Sequence, residues 1–380
     1  MNPFKFVLVA IVASLLPSCL GGGKAQSDTL DGNDLTFDYA RFIKVTRHVD
    51  GWYQADIKNP WDTTKLLQRV AMIPSDVNPN IEEIPYDAIV VDIPLKRALV
   101  QESVHVGLIE EFGADDAIAG VSDVDYILSS SIKERIEKGE VIDCGSWMRP
   151  DMEKIIRLRP DGILMSPYQN GGNFEQLSQL NIPIIFTADY TESTPLGRAE
   201  WIKYFGLLFG HESSADSIFN DVSTTYNDIS QRADSLAAIV GHKKILLDIP
   251  YRGTWYVPGK ASPNQIFIEN IGAENPFASM VEGSSVALPP EKVLYEAHDA
   301  DVWVIRVNTS SEISLDYLKK NYPIATQFKA FRDGKVWGCN TGKTPYFEET
   351  PFHPEYQLRD LFNILYEPDS LPLRYFRQLH

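Results

Sequence analysis

Residues 152–164 (MEKIIRLRPDGIL) and residues 290–304 (PEKVLYEAHDADVWV) decide the fold, because they present the same features in the same order. Each begins as a helix with Glu-Lys in its first turn, continues to an aspartate and ends in a short apolar run. The second copy carries two extra residues, and two amphipathic helices can also resemble each other by chance. The repetition predicts two units in which a helix precedes a buried strand.

The sequence around both copies alternates short apolar strands with helical stretches, which predicts an α/β fold with parallel sheets and short crossovers. Between residues 197 and 238 there is no proline, and Trp201, Tyr204, Phe205 and Leu208 recur at helical spacing. One or two long helices are therefore expected between the two lobes. The predicted strands are 98–100, 117–121, 162–165, 182–186, 244–248, 302–307 and 335–338.

A small β-rich segment precedes the lobes. Asp50-Gly51 stands between two β-rich runs, residues 42–45 and 52–54, and this arrangement predicts a hairpin. The expected organisation is a signal peptide at 1–18, a lipidated tether at 19–34, a β-hairpin extension at 35–87, an N-terminal α/β lobe at 88–196, a linking helix at 197–241 and a C-terminal α/β lobe at 242–380.

The first residues are typical of a secretory signal peptide. Lys5 gives a basic start, residues 6–16 form an apolar stretch too short to span a bilayer, and residues 16–19 (LPSC) end in Cys19. This ending resembles a bacterial lipobox, which implies diacylation of Cys19; an ordinary signal peptide with a chance cysteine is the alternative. We expect a lipid-anchored protein of the cell envelope, either periplasmic or at the outer membrane.

The charge of the chain narrows its partners. A formal net charge of −17 argues against nucleic-acid binding, although a local basic patch can still hold an anionic ligand. Cys144 and Cys339 fall in different halves, and a disulfide between them would tie a moving cleft together, so free buried thiols are expected. A monomer without a cofactor is expected.

Two competing functions have weaker support. Direct capture of zinc or manganese would gather histidines, and here they fall singly in unrelated segments. An enzyme is suggested by residues 130–133 (SSIK), which match the Ser-x-x-Lys acyl-enzyme signature, but neither Ser-Asp-Asn nor Lys-Thr-Gly occurs in the sequence. We therefore expect neither a protein-held metal nor catalysis. The histidines considered are His48, His105, His211, His298 and His353.

Three stretches, residues 110–121, 144–164 and 291–304, resemble in their order and spacing a known family. They are similar to the periplasmic or lipid-anchored solute-binding proteins of ABC importers for cobalamin, haem and iron–siderophore complexes. The resemblance implies two Rossmann-like lobes joined by a rigid helix, with the ligand in the cleft between them. It also implies that Glu153 and Glu291, one on each lobe, dock onto the permease. Alternatively, both are helix N-terminal carboxylates favoured by the macrodipole.

The candidate binding site follows from the predicted sheets. Ligands of open α/β sheets bind beyond the carboxyl ends of the strands, so the loops there are the first place to look. Aromatic faces suit a planar or catecholate ligand, and arginine forks suit carboxylates or phosphates, although each such residue can instead be core or turn filler. The candidate ligand-binding residues are Trp147, Arg149, Tyr168, Tyr251, Arg252, Trp255, Tyr256 and Arg306.

These observations together predict a binding protein without chemistry of its own. It would capture an iron complex (a ferric siderophore or haem) or cobalamin in the interlobe cleft and deliver it to an ABC importer. The alternative is an outer-membrane accessory lipoprotein that passes the ligand to a receptor.

Overall fold

The computed structural model describes residues 32–169, 174–280, 283–367 and 372–380. The predicted signal peptide and Cys19 lie outside these residues. None of the helices in the described part of the chain combines the length and the apolar composition that a membrane span requires.

A five-stranded sheet precedes the lobes, in the order β1-β2-β3-β4-β5. The hairpin predicted around Asp50-Gly51 joins β2 to β3, and Gly51 takes a φ of +93°, which favours glycine. The sheet also takes in residues 88–93, which were predicted to open the N-terminal lobe. They pair with β4, and the exposed Val90 and Asp92 alternate with buried neighbours, as suits a sheet with one solvated face. The strands are β1 (Gly32–Asp34), β2 (Ile43–His48), β3 (Tyr53–Lys58), β4 (Leu66–Pro74) and β5 (Ala88–Ile93).

Two buried carboxylates attach this sheet to the rest of the molecule. Glu200 accepts backbone N–H groups of residues 38–40 at 2.7–2.9 Å, and Glu192 accepts those of Arg41 and Phe42 at 2.9 Å. Hydrogen bonds to a charged group are the stronger kind, so they fix the chain between β1 and β2.

The N-terminal lobe is built on a parallel sheet in the order β12-β11-β6-β7-β8. Its central strands are apolar and buried on both faces, as expected where helices cover a parallel sheet. Gly120 permits close packing, since a Cβ there would lie 2.6 Å from a methyl carbon of Leu158. The elements are β6 (Ala98–Val100), α1 (Ser103–Glu111), β7 (Ile118–Val121), α2 (Ser130–Glu137), β8 (Ile142–Asp143), β9 (Gly145–Ser146), β10 (Arg149–Pro150), α3 (Met152–Leu158), β11 (Gly162–Met165), α4 (Phe174–Ser178) and β12 (Ile184–Phe186).

Three helices join the lobes where one linking helix was predicted: α5 (Pro195–Ala199), α6 (Ile202–Phe209) and α7 (Glu212–Val240). Gly210, with a φ of +72°, ends α6, so the segment turns before α7 begins. The 29-residue α7 packs against α6 and against the last helix of the chain.

The C-terminal lobe contains a parallel sheet, β13-β16-β17, with β18 added antiparallel at its edge. Cys144 and Cys339 are free and buried, as expected. The two-lobed α/β fold is thereby confirmed. The remaining elements are β13 (Ile245–Leu247), β14 (Trp255–Pro258), α8 (Pro263–Asn270), β15 (Ser285–Leu288), α9 (Pro290–Ala297), β16 (Val302–Val307), α10 (Leu315–Asn321), α11 (Lys329–Arg332), β17 (Val336–Asn340), α12 (Tyr346–Glu349), α13 (Pro354–Tyr366) and β18 (Arg377–Gln378).

Candidate ligand-binding cleft

A cavity of about 360 Å³ lies between the lobes. One wall is the segment that follows β12, with Tyr190 and Arg198. The other wall holds Arg306, from the end of β16, with Tyr346 and Phe347 of α12. The cavity therefore lies beyond the carboxyl ends of strands from both lobes, where open α/β sheets bind their ligands.

Arg306 is fixed in this wall by Asp248. Its Nε donates to Asp248 Oδ1 at 2.9 Å, Nη2 donates to Oδ2, and Nη1 donates to Asn264 and Tyr346 at 3.2 Å each. Burial alone would lower the pKa of Arg306, but the charge of Asp248 outweighs it and raises the pKa. The guanidinium is thus charged and rigid, with most of its donors already used.

The side chain of Arg198, on the opposite wall, forms one hydrogen bond with the residues that the structure describes. Its Nε donates to Asp189 Oδ2 at 3.0 Å, and its side chain is 31% exposed. In the described part of the chain, no hydrogen bond is formed by its two terminal nitrogens, so four donors remain for a ligand. Arg198 was not among the predicted ligand contacts, because it lies on a helix and not in a loop at the end of a strand.

An aromatic cluster adjoins the cavity. Trp147 stacks on Tyr168 with ring centroids 4.7 Å apart, and Tyr168 lies 6.2 Å from Tyr190. Burial raises the pKa of Tyr168 to about 12, so it is a neutral phenol at physiological pH. Two residues predicted separately, Trp147 and Tyr168, are thus brought together, and Tyr190 connects them to the cavity.

Trp255 is not a cleft residue, and the prediction that it contacts ligand is wrong. It has no exposed surface, donates its Nε1–H to Leu247 O at 3.0 Å and packs against Trp303 and Phe328. Strand β14 turns it inward and turns Tyr256 outward, since alternate strand residues face opposite sides.

The other predicted contacts lie outside the cavity wall. Arg149 is exposed on β10, and Tyr251 and Tyr256 are 62% and 53% exposed. The guanidinium of Arg252 lies over the ring of Tyr251, 5.1 Å from its centroid. Their role in binding stays a prediction.

Glu153 and Glu291 occupy matching places in the two lobes. Each is exposed in the first turn of its helix, α3 and α9 respectively, where the helix macrodipole favours a carboxylate. Their positions suit docking and helix stabilisation equally, and docking stays a prediction.

A second cavity, of about 790 Å³, lies on the other side of α12. Its carboxylates already have partners: Glu111 contacts His353 Nε2 at 2.8 Å, Glu348 accepts the N–H of Leu128 at 2.8 Å, and Glu349 pairs with Arg374. The first two contacts cross between the lobes and hold them together beside this cavity.

Two findings concern the competing functions, direct metal capture and catalysis. Among residues the structure describes, no group of three histidine, cysteine or acidic side chains is placed to hold a metal ion. The Ser-x-x-Lys match lies in the first turn of α2, where Ser130 and Lys133 are exposed. The preceding Ser129 accepts the N–H of Ile132 and caps the helix.

Residues 101–341 match the family model described as "Periplasmic binding protein". The chain belongs to the periplasmic binding protein family. This confirms the resemblance drawn from the sequence. The model begins at residue 101, so the five-stranded sheet lies outside it.

Relatives and solved structures agree with the family. An uncharacterized lipoprotein of Methanocaldococcus jannaschii is 28% identical over 259 residues, which are 65% of this chain and only 60% of that protein. A ferric-anguibactin-binding protein of Vibrio anguillarum is 22% identical over 52% of this chain and 61% of its own length. The periplasmic haem-binding protein of Vibrio cholerae superposes with a TM-score of 0.56 at 19% identity, over 71% of this chain and 99% of its own. At that identity the superposition shows the fold.

Proposed function

We propose that this protein is a lipid-anchored, extracytoplasmic binding protein that captures an anionic iron complex, a ferric siderophore or haem, or else a corrinoid. One observation carries the proposal: Arg198 of the joining helix α5 and Arg306 of the C-terminal lobe lie on opposite walls of one cavity, and each is held by an aspartate. A ligand that reaches both arginines is bound from both walls, and arginine forks suit carboxylate or phosphate groups.

The aromatic cluster supports the same ligand class. Trp147, Tyr168 and Tyr190 offer flat faces beside the charged cavity, which suits a planar or catecholate complex that also carries negative charge. Two similar proteins are named for the binding of ferric-anguibactin and of haem. The proposal includes no catalytic step.

A fluorescence screen tests the ligand class. The purified protein is titrated with ferric siderophores of catecholate and hydroxamate type, with haemin and with cobalamin, while tryptophan emission is recorded. Saturable quenching by one class supports capture, with Trp147 of the aromatic cluster as an expected reporter. If none of the panel binds, the proposed ligand class is wrong.

Delivery to an ABC importer is the second half of the proposal. Glu153 and Glu291 would pair with cationic side chains of the permease, which orients the encounter more than it adds affinity. Anchoring through Cys19 would keep the protein near that permease, and the Methanocaldococcus relative is itself called a lipoprotein.

Charge reversal separates the two delivery routes. Glu153→Arg combined with Glu291→Arg is expected to abolish uptake while ligand binding by the purified protein is unchanged. Glu82→Arg combined with Glu137→Arg, at exposed positions elsewhere, is the matched control and should leave uptake intact. Normal uptake with the first pair would favour the alternative, an accessory lipoprotein that serves an outer-membrane receptor.

A further inference from the structure

A chain of charged side chains runs behind the wall of the candidate cavity. His105 Nε2 lies 2.9 Å from Asp189 Oδ1, and the other oxygen of Asp189 accepts the Nε–H of Arg198 at 3.0 Å. On its far side, His105 Nδ1 lies 3.4 Å from Glu102 Oε2, an ion-pair contact. His105 and Asp189 are 0% and 1% exposed, whereas Arg198 reaches the cavity.

His105 is surrounded by aromatic rings and by the charged groups described above. The ring packs on Phe205 of α6, with centroids 4.8 Å apart, and lies 6.0 Å from Phe352 of the C-terminal lobe. The charged groups that face it are Glu102 beside α1, Asp189 in the 3₁₀ helix Asp189–Thr191, and, through Asp189, Arg198 on α5.

The imidazole of His105 is held in its charged form. Burial alone would lower its pKa, but the charge of Asp189 and the contact with Glu102 outweigh burial and raise the pKa to about 9. Burial would likewise raise the pKa of Asp189, but the charges of His105 and Arg198 keep it low. At neutral pH the four side chains, taken in the order Glu102, His105, Asp189 and Arg198, therefore alternate between negative and positive charge.

We propose that His105 is a positioning residue for the cleft, which orients Asp189 and shares its charge so that Arg198 stays directed towards an anionic ligand. His105 itself never touches the ligand. Without the imidazolium, the carboxylate of Asp189 would have Arg198 as its main cation and would draw the guanidinium back from the cavity. This inference rests on the proposed function, because it names how that same site is held.

The first test needs no ligand. Side-chain NMR of the full protein should show the ring of His105 titrating near pH 9, and the Nε–H of Arg198 as a slowly exchanging signal. His105→Gln should broaden or shift that Arg198 signal, and His298→Gln, at an exposed histidine, should not. If His105 titrates like an ordinary histidine and the Arg198 signal ignores its replacement, the inference is overturned.

The second test is a double-mutant cycle read by ligand binding, with haemin and a ferric tris-catecholate complex as the probes. His105→Gln should weaken binding about tenfold in the wild-type background and have no further effect in the Arg198→Gln background. Wild-type affinity should also fall as the pH rises through about 9, while His105→Gln gives a flat profile over that range. Equal losses in both backgrounds would mean that His105 only supports the fold, and would overturn the inference.

The inference can still be tested if the variant does not fold or if neither probe binds. If His105→Gln does not fold, the wild-type NMR titration decides the question: the Nε–H signal of Arg198 should shift as the pH rises through about 9, and a signal that stays constant while His105 titrates would overturn the inference. If neither probe binds the wild-type protein, the proposed function fails, and the NMR titration alone decides whether His105 positions Arg198.

Discussion

The two arginines of the cleft differ in how much of their hydrogen-bonding capacity is already used. Arg306 donates to Asp248, Asn264 and Tyr346, whereas Arg198, among the residues that the structure describes, donates only to Asp189. The guanidinium with more unused donors has more to offer an incoming anion. Arg306 is therefore mainly a fixed positive wall, and Arg198 is the expected direct contact.

Replacing Arg198 should weaken ligand binding, while His105 remains as a partner of the buried Asp189 carboxylate. Arg198→Gln is expected to weaken capture of an anionic ligand by about tenfold to a hundredfold, since charge-assisted hydrogen bonds are lost. Titrations of haemin and a ferric tris-catecholate against tryptophan emission measure it, with Arg157→Gln, at an exposed arginine of α3, as the control. Equal affinity of the two variants would remove Arg198 from the site.

The exposure of two tryptophans, Trp147 and Trp255, could not be predicted from the sequence. Trp147 and Trp255 were selected by the same reasoning, as aromatic residues close to strand ends. Which of them is exposed depends on distant partners: Trp255 fills the space beside Trp303 and Phe328, while Trp147 stacks on Tyr168 at the surface of the cleft. Contacts so far apart along the chain leave no local signal.

At the scale of elements, the segment from β17 to α13 connects the lobes. Phe352 is buried against Phe205 of α6, and His353 contacts Glu111 of α1 as well as Glu355. These contacts add a second connection beside α7. Burial alone would lower the pKa of His353, but the two carboxylates outweigh it and raise the pKa to about 9.

The sign of the resulting pH dependence follows directly. Because the pKa of His353 is higher in the folded protein than its unfolded value of 6.5, its contribution to stability is complete below pH 6.5 and disappears as the pH rises through about 9. His353→Gln should lower the free energy of unfolding by about 2 kcal/mol at pH 6 and by much less at pH 10. Urea denaturation at both values measures this, with His298→Gln as the control; an equal loss at both would contradict an ionic role.

Periodicity and turn residues predicted that helices and strands exist better than they predicted where each one ends. The two lobes, the hairpin at Asp50-Gly51 and the helical linking region were all predictable from periodicity and turn residues. One or two long helices were expected between the lobes, and Gly210 ends α6 before α7 begins. The predicted boundary at residue 87 separates β5 from the sheet in which it pairs with β4, because that pairing is set by register and burial and not by the composition of β5.

At the scale of the whole molecule, the lobes are joined by more than one helix. Helix α7 packs on both α6 and α13, and the contacts of Phe352 and His353 cross between lobes beside it. We therefore expect the ligand to be held with little closure of the lobes. The five-stranded sheet, outside the family model, is fixed to the N-terminal lobe through Glu192 and to the segment that joins the lobes through Glu200.

The most direct measurement of the central claim is a crystal structure of the protein with whichever panel ligand quenches its fluorescence. We predict that an anionic group of the ligand lies between Arg198 and Arg306 and that its flat portion rests on the Trp147–Tyr168 cluster. A ligand bound instead in the larger cavity on the other side of α12, without contact to either arginine, would contradict the account.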